Sequence, residues 1–290
     1  MDWLQILVLG LLLGGVYAMM ASGLTLLFGV MRVVNLAHAA FILVASYLTY
    51  VLFESLALDP IVSLVITMPL MFGLGVVLYL LLFPRLEDNP RYVEMTVLLT
   101  FGLALIVEGL MTYTFTGIFR SVRPEYASTS ITVGEIFMPT SQLYASLISF
   151  ALLFGLWSIL RFTRTGTAIR ATMQNRAAAQ IVGVNVRRVS ALAFGIGMAL
   201  AGAAGSLLSF MFPFFPARHW QWIALLLALI VLGGMGSIKG AVIASLLLAV
   251  ASAVVTDLMG PTWSPITFYL TLFLILMIRP QGLFGVKVRL

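Results

Sequence analysis

About nine apolar runs, each near the length of a membrane crossing, follow one another along this chain: 4–30, 34–53, 61–83, 93–116, 141–160, 189–211, 222–236, 240–257 and 264–278. A helix needs roughly 20 apolar residues to cross the hydrocarbon of a bilayer, and few other folds can absorb such a series. Composition closes the soluble alternative. With 62% hydrophobic and 9% charged residues, a soluble domain would lack the polar surface to cover itself. The expected fold class is all-α: a polytopic membrane protein with about nine transmembrane or half-membrane helices, forming one domain over residues 1–290. The seventh and eighth runs are short or interrupted by glycines, so one or both are read as half-helices. Only Met31 to Val33 join the first two runs, which leaves that corner as either a hairpin or a broken helix. The first run opens on MDWLQILVLG, with an acid and no basic region ahead of it, so it is expected to stay as a span and not to be cleaved as a signal peptide.

Charge sets the expected direction of these spans. Arg161, Arg164, Arg170, Arg176, Arg187 and Arg188 crowd the interval between the fifth and sixth runs, which holds no Asp or Glu. Lys and Arg accumulate in short cytoplasmic loops, so this loop is placed inside, the N-terminus outside and the C-terminus inside. Alternation then gives the cytoplasm Arg32, Arg85, Arg91, Lys239, Arg279, Lys287 and Arg289, and the exterior only Arg120, Arg123 and Arg218. The external acids are Asp2, Glu54, Asp59, Glu125, Glu135 and Asp257. On this reading Arg176 and Arg279 are cytoplasmic, and Val122 and Ala217 external. The net charge of +6 is a topology signal of this kind and not a nucleic-acid surface.

The arginine-rich interval has a helical pattern of its own. Ile169, Met173, Ala177, Ile181 and Val184 recur every three or four residues, flanked by Arg170 and Gln174 on one side and Arg176 on the other. Thr165 or Thr167 can cap its start, and Gly183 can take the left-handed conformation that ends it. The pattern predicts one amphipathic helix of about four turns. Two roles fit it: docking into a cytoplasmic partner, or lying on anionic lipid with its arginines at the headgroups.

Other features narrow the function by exclusion. The external interval 117–140 and the tail after Pro280 are short, so no nucleotide-binding or solute-capturing module is inserted. The run GGMGSIKG has Ile238 before Lys239 and Gly240 after it, which fails the phosphate-loop pattern; Gly233, Gly234, Gly236 and Gly240 are read as helix bends. Small residues at four-residue spacing (Gly10 and Gly14, Ala201 and Gly205, Gly236 and Gly240) are read as packing seams before subunit contacts. With no Cys, two His and no HExxH or GxSxG motif, the chain offers neither a metal site nor a nucleophile, and no enzyme is expected. Glu108 is the acid placed inside a span, and Asn35 and His38 form a polar pair in apolar sequence. Each is read both as a contact on a translocation pathway and as a partner in an interhelical hydrogen bond.

Four blocks in order along nearly the whole chain carry a resemblance: GLTLLFGVMRVVNLAHAAFILVASYLTY (23–50), RTGTAIRATMQNRAAAQIVGVNVRRVSALAFGIGMALAGAAGS (164–206), GGMGSIKGAVIAS (233–245) and RPQGLFG (279–285). Together they resemble the branched-chain amino-acid ABC transporter permeases, of the type of the first permease subunit in high-affinity leucine, isoleucine and valine uptake. Ala39 departs from the family's usual Gly and bears only on the local bend there. The resemblance implies a type II ABC importer permease-like fold, a bacterial plasma (inner) membrane location, and four kinds of partner: a second homologous permease, two cytoplasmic ATPase subunits, an extracytoplasmic substrate-binding protein and the lipid bilayer. It implies no cofactor in this chain, with ATP and Mg held by the ATPase subunits. It makes residues 168–182 the coupling helix, with Arg164, Gly166, Ala168, Ile169, Arg170, Met173, Gln174, Arg176, Ala177, Ile181 and Gly183 as the coupling set. Closure of the ATPases would then push on this helix and drive alternating access. Other solutes of the superfamily (urea, amides, aromatic acids) are the first alternative. An ion-coupled secondary carrier is the second, and it would need several intramembrane carboxylates where Glu108 is the one placed within a span.

Overall fold

A computed structural model describes residues 3–87 and 89–285. Asp2, Lys287 and Arg289, assigned sides above, lie outside the described residues. The chain begins with α1 (Trp3–Met31), α2 (His38–Leu56), α3 (Pro60–Leu82) and α4 (Tyr92–Phe115). A short hairpin, β1 (Ser130–Val133) and β2 (Ile136–Pro139), leads into α5 (Thr140–Phe162). Two small helices, α6 (Arg164–Gln174) and α7 (Arg176–Ile181), precede α8 (Val186–Met211), α9 (His219–Gly233), α10 (Ile238–Met259) and α11 (Ser264–Ile278). Among the described residues nine helical segments are long and apolar enough to cross a membrane, the seventh being α9 with the turn of 3₁₀-helix before it. In hydrocarbon every backbone N–H and C=O must bond within its own segment, and this is why apolar runs of this length fold as helices.

Polar residues set where the spans begin. Asp59 caps α3, its carboxylate accepting from the Ile61 N–H at 2.7 Å with Pro60 in the first turn. Asn185 and Ser237 cap α8 and α10 in the same way. Observed spans follow the expected runs within a few residues, and two expectations change. α10, at 22 residues, is long and apolar enough for a full crossing where a half-helix was one expectation. The first corner is longer than three residues, because α1 ends at Met31 and an irregular segment, 32–37, leads to α2. Arg32 turns it with a left-handed φ of 55°, unusual outside glycine.

The hairpin was also not expected. β-branched residues on both sides of Gly134-Glu135 are its signal, and Gly134 takes the positive φ (64°) that a two-residue turn requires.

α8 is the axis of the bundle. It packs against α1, α2 and α3, while α1 also holds α5 and α10, and α9 joins α10 to α11. Close approach explains the small-residue seams. A side chain at Gly10 would come 2.7 Å from the Val250 backbone, and one at Gly205 would come 2.8 Å from the Ser46 nitrogen. Both seams lie inside this chain. Where α2, α3 and α8 meet, the Ser206 hydroxyl lies 2.9 Å from that of Thr49 and 2.8 Å from that of Thr67.

The connections sort onto two opposite faces. On one, the Gln5 side-chain amide donates to the Phe137 carbonyl and accepts from the Phe137 N–H, Tyr126 donates to Asp59, and 120–122 pairs with Phe214 and Ser209. On the other, Glu87 meets Arg176, Met173 meets Gly29, and the 279–285 segment bonds to the end of α9. Every contact named joins segments that span alternation puts on the same side.

Candidate functional site

Two small helices occupy the arginine-rich interval where one was expected. Thr163, and not Thr165 or Thr167, caps α6, its hydroxyl accepting from the Gly166 N–H at 2.9 Å. Asn175 leaves helical geometry (φ −153°, ψ 106°) and restarts the chain by accepting from the Ala178 N–H at 3.0 Å. A residue that accepts from its own downstream N–H competes with the helix, and here it wins over the Ala-rich helical preference. The break splits the expected apolar stripe. Ile169 and Thr172 are buried and Met173 is half-buried, whereas Ala177 and Ile181 are exposed and Ala179 faces inward instead. Gly183 does take the left-handed conformation (φ 87°) just past α7.

The coupling set therefore divides by surroundings. Gly166 lies tight against α5, where a side chain would come 2.5 Å from the Leu160 Cα. Met173 rests on Gly29 of α1. Arg164, Arg170, Gln174, Ala177, Ile181 and Gly183 face outward, and Ala168 is half-buried. Ile181, at 86% exposure, forms with Val182 an apolar corner that no neighbour covers among the described residues. Arg176 does not face outward like the other arginines. Its Nη2 contacts the Glu87 Oε1 at 2.7 Å, and the Tyr79 hydroxyl donates to the same oxygen at 3.1 Å. Burial alone would weaken the charged guanidinium, but the hydrogen bond and charge of Glu87 outweigh it and raise the Arg176 pKa.

Within the spans the structure does not bring Asn35, His38 and Glu108 together. Asn35 and His38 are packed into the α1–α2 corner at 2% and 0% exposure, so neither can touch a solute in this conformation. Asn35 turns the corner by accepting from the Ala37 N–H, and the His38 ring lies against Gly23 of α1. Glu108 differs. Its Oε2 accepts from the Trp220 Nε1 at 2.9 Å and lies 3.2 Å from the His219 Nε2, and about a quarter of its side chain is exposed. It does so on α4, which otherwise shows large apolar side chains such as Leu98, Leu105, Ile106 and Leu110 to the outside.

The sequence assigned no site role to His219, Trp220 or Glu87. A His-Trp pair at the start of the seventh run and an acid in the short loop opposite the arginines were its available signals. The four glycines do not bend one helix. They form the turn between α9 and α10, with Gly234 and Gly236 at positive φ, and Gly233 and Gly240 in backbone contact. On the hairpin face a cavity of about 570 Å³ lies between 121–128 and the end of α8, with Arg123 and Glu125 on its wall. No group of three or more His, Asp or Glu suited to a metal occurs among the described residues.

Comparison with known proteins adds to this geometry. A family model described as branched-chain amino acid transport system / permease component matches residues 6–278. The chain is 26% identical over 297 residues to the high-affinity branched-chain amino acid transport system permease protein BraD of Pseudomonas aeruginosa, covering 98% of this chain and 96% of that protein. The corresponding protein LivH of Escherichia coli K12 is 26% identical over 308 residues, with the same coverage of both chains. LivM of the same organism is 32% identical over 120 residues, 41% of this chain and 28% of that protein.

Proposed function

The chain belongs to the family of permease components of branched-chain amino acid transport systems, and from that premise we propose how it carries its solute and with which partners. It is a multi-pass transport component and not an enzyme. Residues 1–290 form one permease domain of an ATP-driven importer for branched-chain or related amino acids, in a bacterial plasma membrane with the N-terminus outside. A second permease of similar sequence stands beside it, two ATPase subunits bind ATP and Mg on the cytoplasmic side, and a binding protein delivers solute from outside. Support for this assembly comes from the relatives, which are named as permeases of such systems, and from the partial likeness to LivM, a second permease of that kind. The outward residues of α6 and α7, with the bare Ile181 corner, meet an ATPase.

Glu108 is the observation that carries the pathway. A carboxylate facing hydrocarbon is costly. A partly exposed one, held by Trp220 and His219 of α9 on a helix with an apolar exterior, belongs beside water or another protein. We place the solute path and the second permease along this side of α4, with Glu108 as its polar contact and His219 and Trp220 as the residues that orient it.

Uptake measured per assembled complex tests the reading. Glu108→Gln should lower uptake by about tenfold, the size expected when a hydrogen bond to a charged group worth roughly 1.5–3 kcal/mol is lost. The ATPase subunits should still co-purify. Wild-type uptake per complex in this variant would remove Glu108 from the path, and a loss of complex alone would make it a structural residue.

A further inference from the structure

The pair Arg176–Glu87 lies where three parts of the molecule meet. Arg176 opens α7, Glu87 sits in the turn leading to α4, and Tyr79 belongs to the end of α3. Tyr79 is fully buried, its ring stacked on Phe83 and tilted against Phe194 of α8. One oxygen of Glu87 thus has a neutral donor fixed in the bundle and a charged, closer donor on the small helices. Charge-assisted bonds are roughly twice as strong as neutral ones. A shift of α7 therefore draws the carboxylate more firmly than Tyr79 retains it.

α4 has the freedom to follow. It packs on α2 and on the 216–218 turn, while an apolar groove of about 420 Å³, lined by Leu82 and Leu86 on one wall and by Leu98 and Gly102 on the other, separates it from the end of α3. Besides the Glu87 turn and the Arg120 bond to the Phe115 carbonyl at its far end, polar attachments hold it at two points along its length. Thr100 bonds to the 34–36 backbone, and Glu108 binds His219 and Trp220 about 12 Å further along the helix.

We propose that the Arg176–Glu87 ion pair is the joint through which movement of α6–α7 swings α4, and with it Glu108, against a stationary α8. Arg176 and Glu87 are positioning residues in this scheme. The inference rests on the reading of α6–α7 as the surface that meets the ATPases.

The test uses the whole complex, purified with its ATPase subunits and reconstituted in vesicles with its binding protein, and reads uptake per ATP hydrolysed. Glu87→Gln should lower that ratio about tenfold with all subunits retained, and Arg176→Gln should do the same. The charge swap, Glu87→Arg with Arg176→Glu, should bring it back to within about threefold of wild type, because a joint needs the pair and not its polarity. A wild-type ratio in both single variants overturns the joint. So does loss of subunits from the single variants without recovery in the swap, which marks a packing contact. If the wild-type chain brings no ATPase subunits with it, the coupling reading itself fails.

Discussion

α8 and α4 are spans of similar length and hydropathy, and they are built for opposite purposes. In the most apolar 18-residue window of α8, 83% is buried within the chain; in α4 the share is 22%. Residue size makes the difference. α8 carries Gly195, Gly197, Gly202 and Gly205 among alanines, so neighbouring backbones close upon it, and Ser206 joins the hydroxyls of two other helices. α4 carries Leu, Ile, Val and Phe, which hold neighbours at a distance, and its polar bonds are few and specific. Hydropathy says that both cross the membrane. Side-chain volume says which one the others are assembled around, and which one has room to move.

The largest expected effect comes from exchanging these properties. Gly205→Leu puts side-chain atoms where the Ser46 nitrogen would be 2.8 Å and the Ala45 Cβ 2.5 Å from the new Cβ. Backbone cannot yield like a side-chain tip, so the cost is about 3 kcal/mol or more, and little folded protein should be recovered from membranes. A Cβ added at Gly102 on α4 meets nothing within 4 Å, and Gly102→Leu should be recovered at the wild-type level. Equal yields of monodisperse protein from the two variants would break the comparison.

Much of this was legible in the sequence and some was not, for physical reasons. Span positions follow from hydrophobic length alone, so seven of the expected runs overlap their helices almost completely, the second is displaced by three or four residues, 34–53 against His38–Leu56, and the seventh by three, 222–236 against His219–Gly233. That displacement arose at the glycine turn, where Gly233 closes α9 and the apolar pattern runs on to Gly236. The Asn175 break was readable as a capping residue, but the surrounding alanines and the periodic stripe argued for continuity. Ion pairs between loops have no periodicity to betray them. Glu87 and Arg176 are 89 residues apart, and only the folded bundle brings them together. Glu108 stood out because a charge within a span is rare; its partners did not, since His219 and Trp220 lie more than 110 residues further on, beyond two more crossings.

Which face holds α6 and α7 is the next point at which the comparison sharpens, because both α4 and α8 start there and a lever must start at its motor. The chain has no cysteine, so single cysteines report without background. Val122 is buried and suits this poorly; its neighbour Arg123 is exposed, as is Ala178 on α7. In intact cells an impermeant thiol reagent should label Arg123→Cys and leave Ala178→Cys untouched until the membrane is opened. Labelling of residue 178 in intact cells would invert the orientation and remove α6–α7 from the ATPase side.

The smallest expected effects separate scaffold from lever most finely. Ser206→Ala removes the contacts with Thr49 and Thr67 and leaves Thr49 its bond to the Ala45 carbonyl. Interhelical hydrogen bonds in membranes contribute about 0.6 kcal/mol each, so the thermal midpoint should fall by a few degrees with uptake per complex unchanged. Thr100→Val on α4 removes the acceptor of the Leu36 N–H and the donor to the Val34 carbonyl, at 3.2 and 3.4 Å. Its cost in stability should be similar, about 1 kcal/mol, but it frees the helix that carries Glu108. Uptake per complex should then change by about threefold. If Ser206→Ala alters uptake per complex and Thr100→Val alters only stability, α8 is the moving element and α4 the frame.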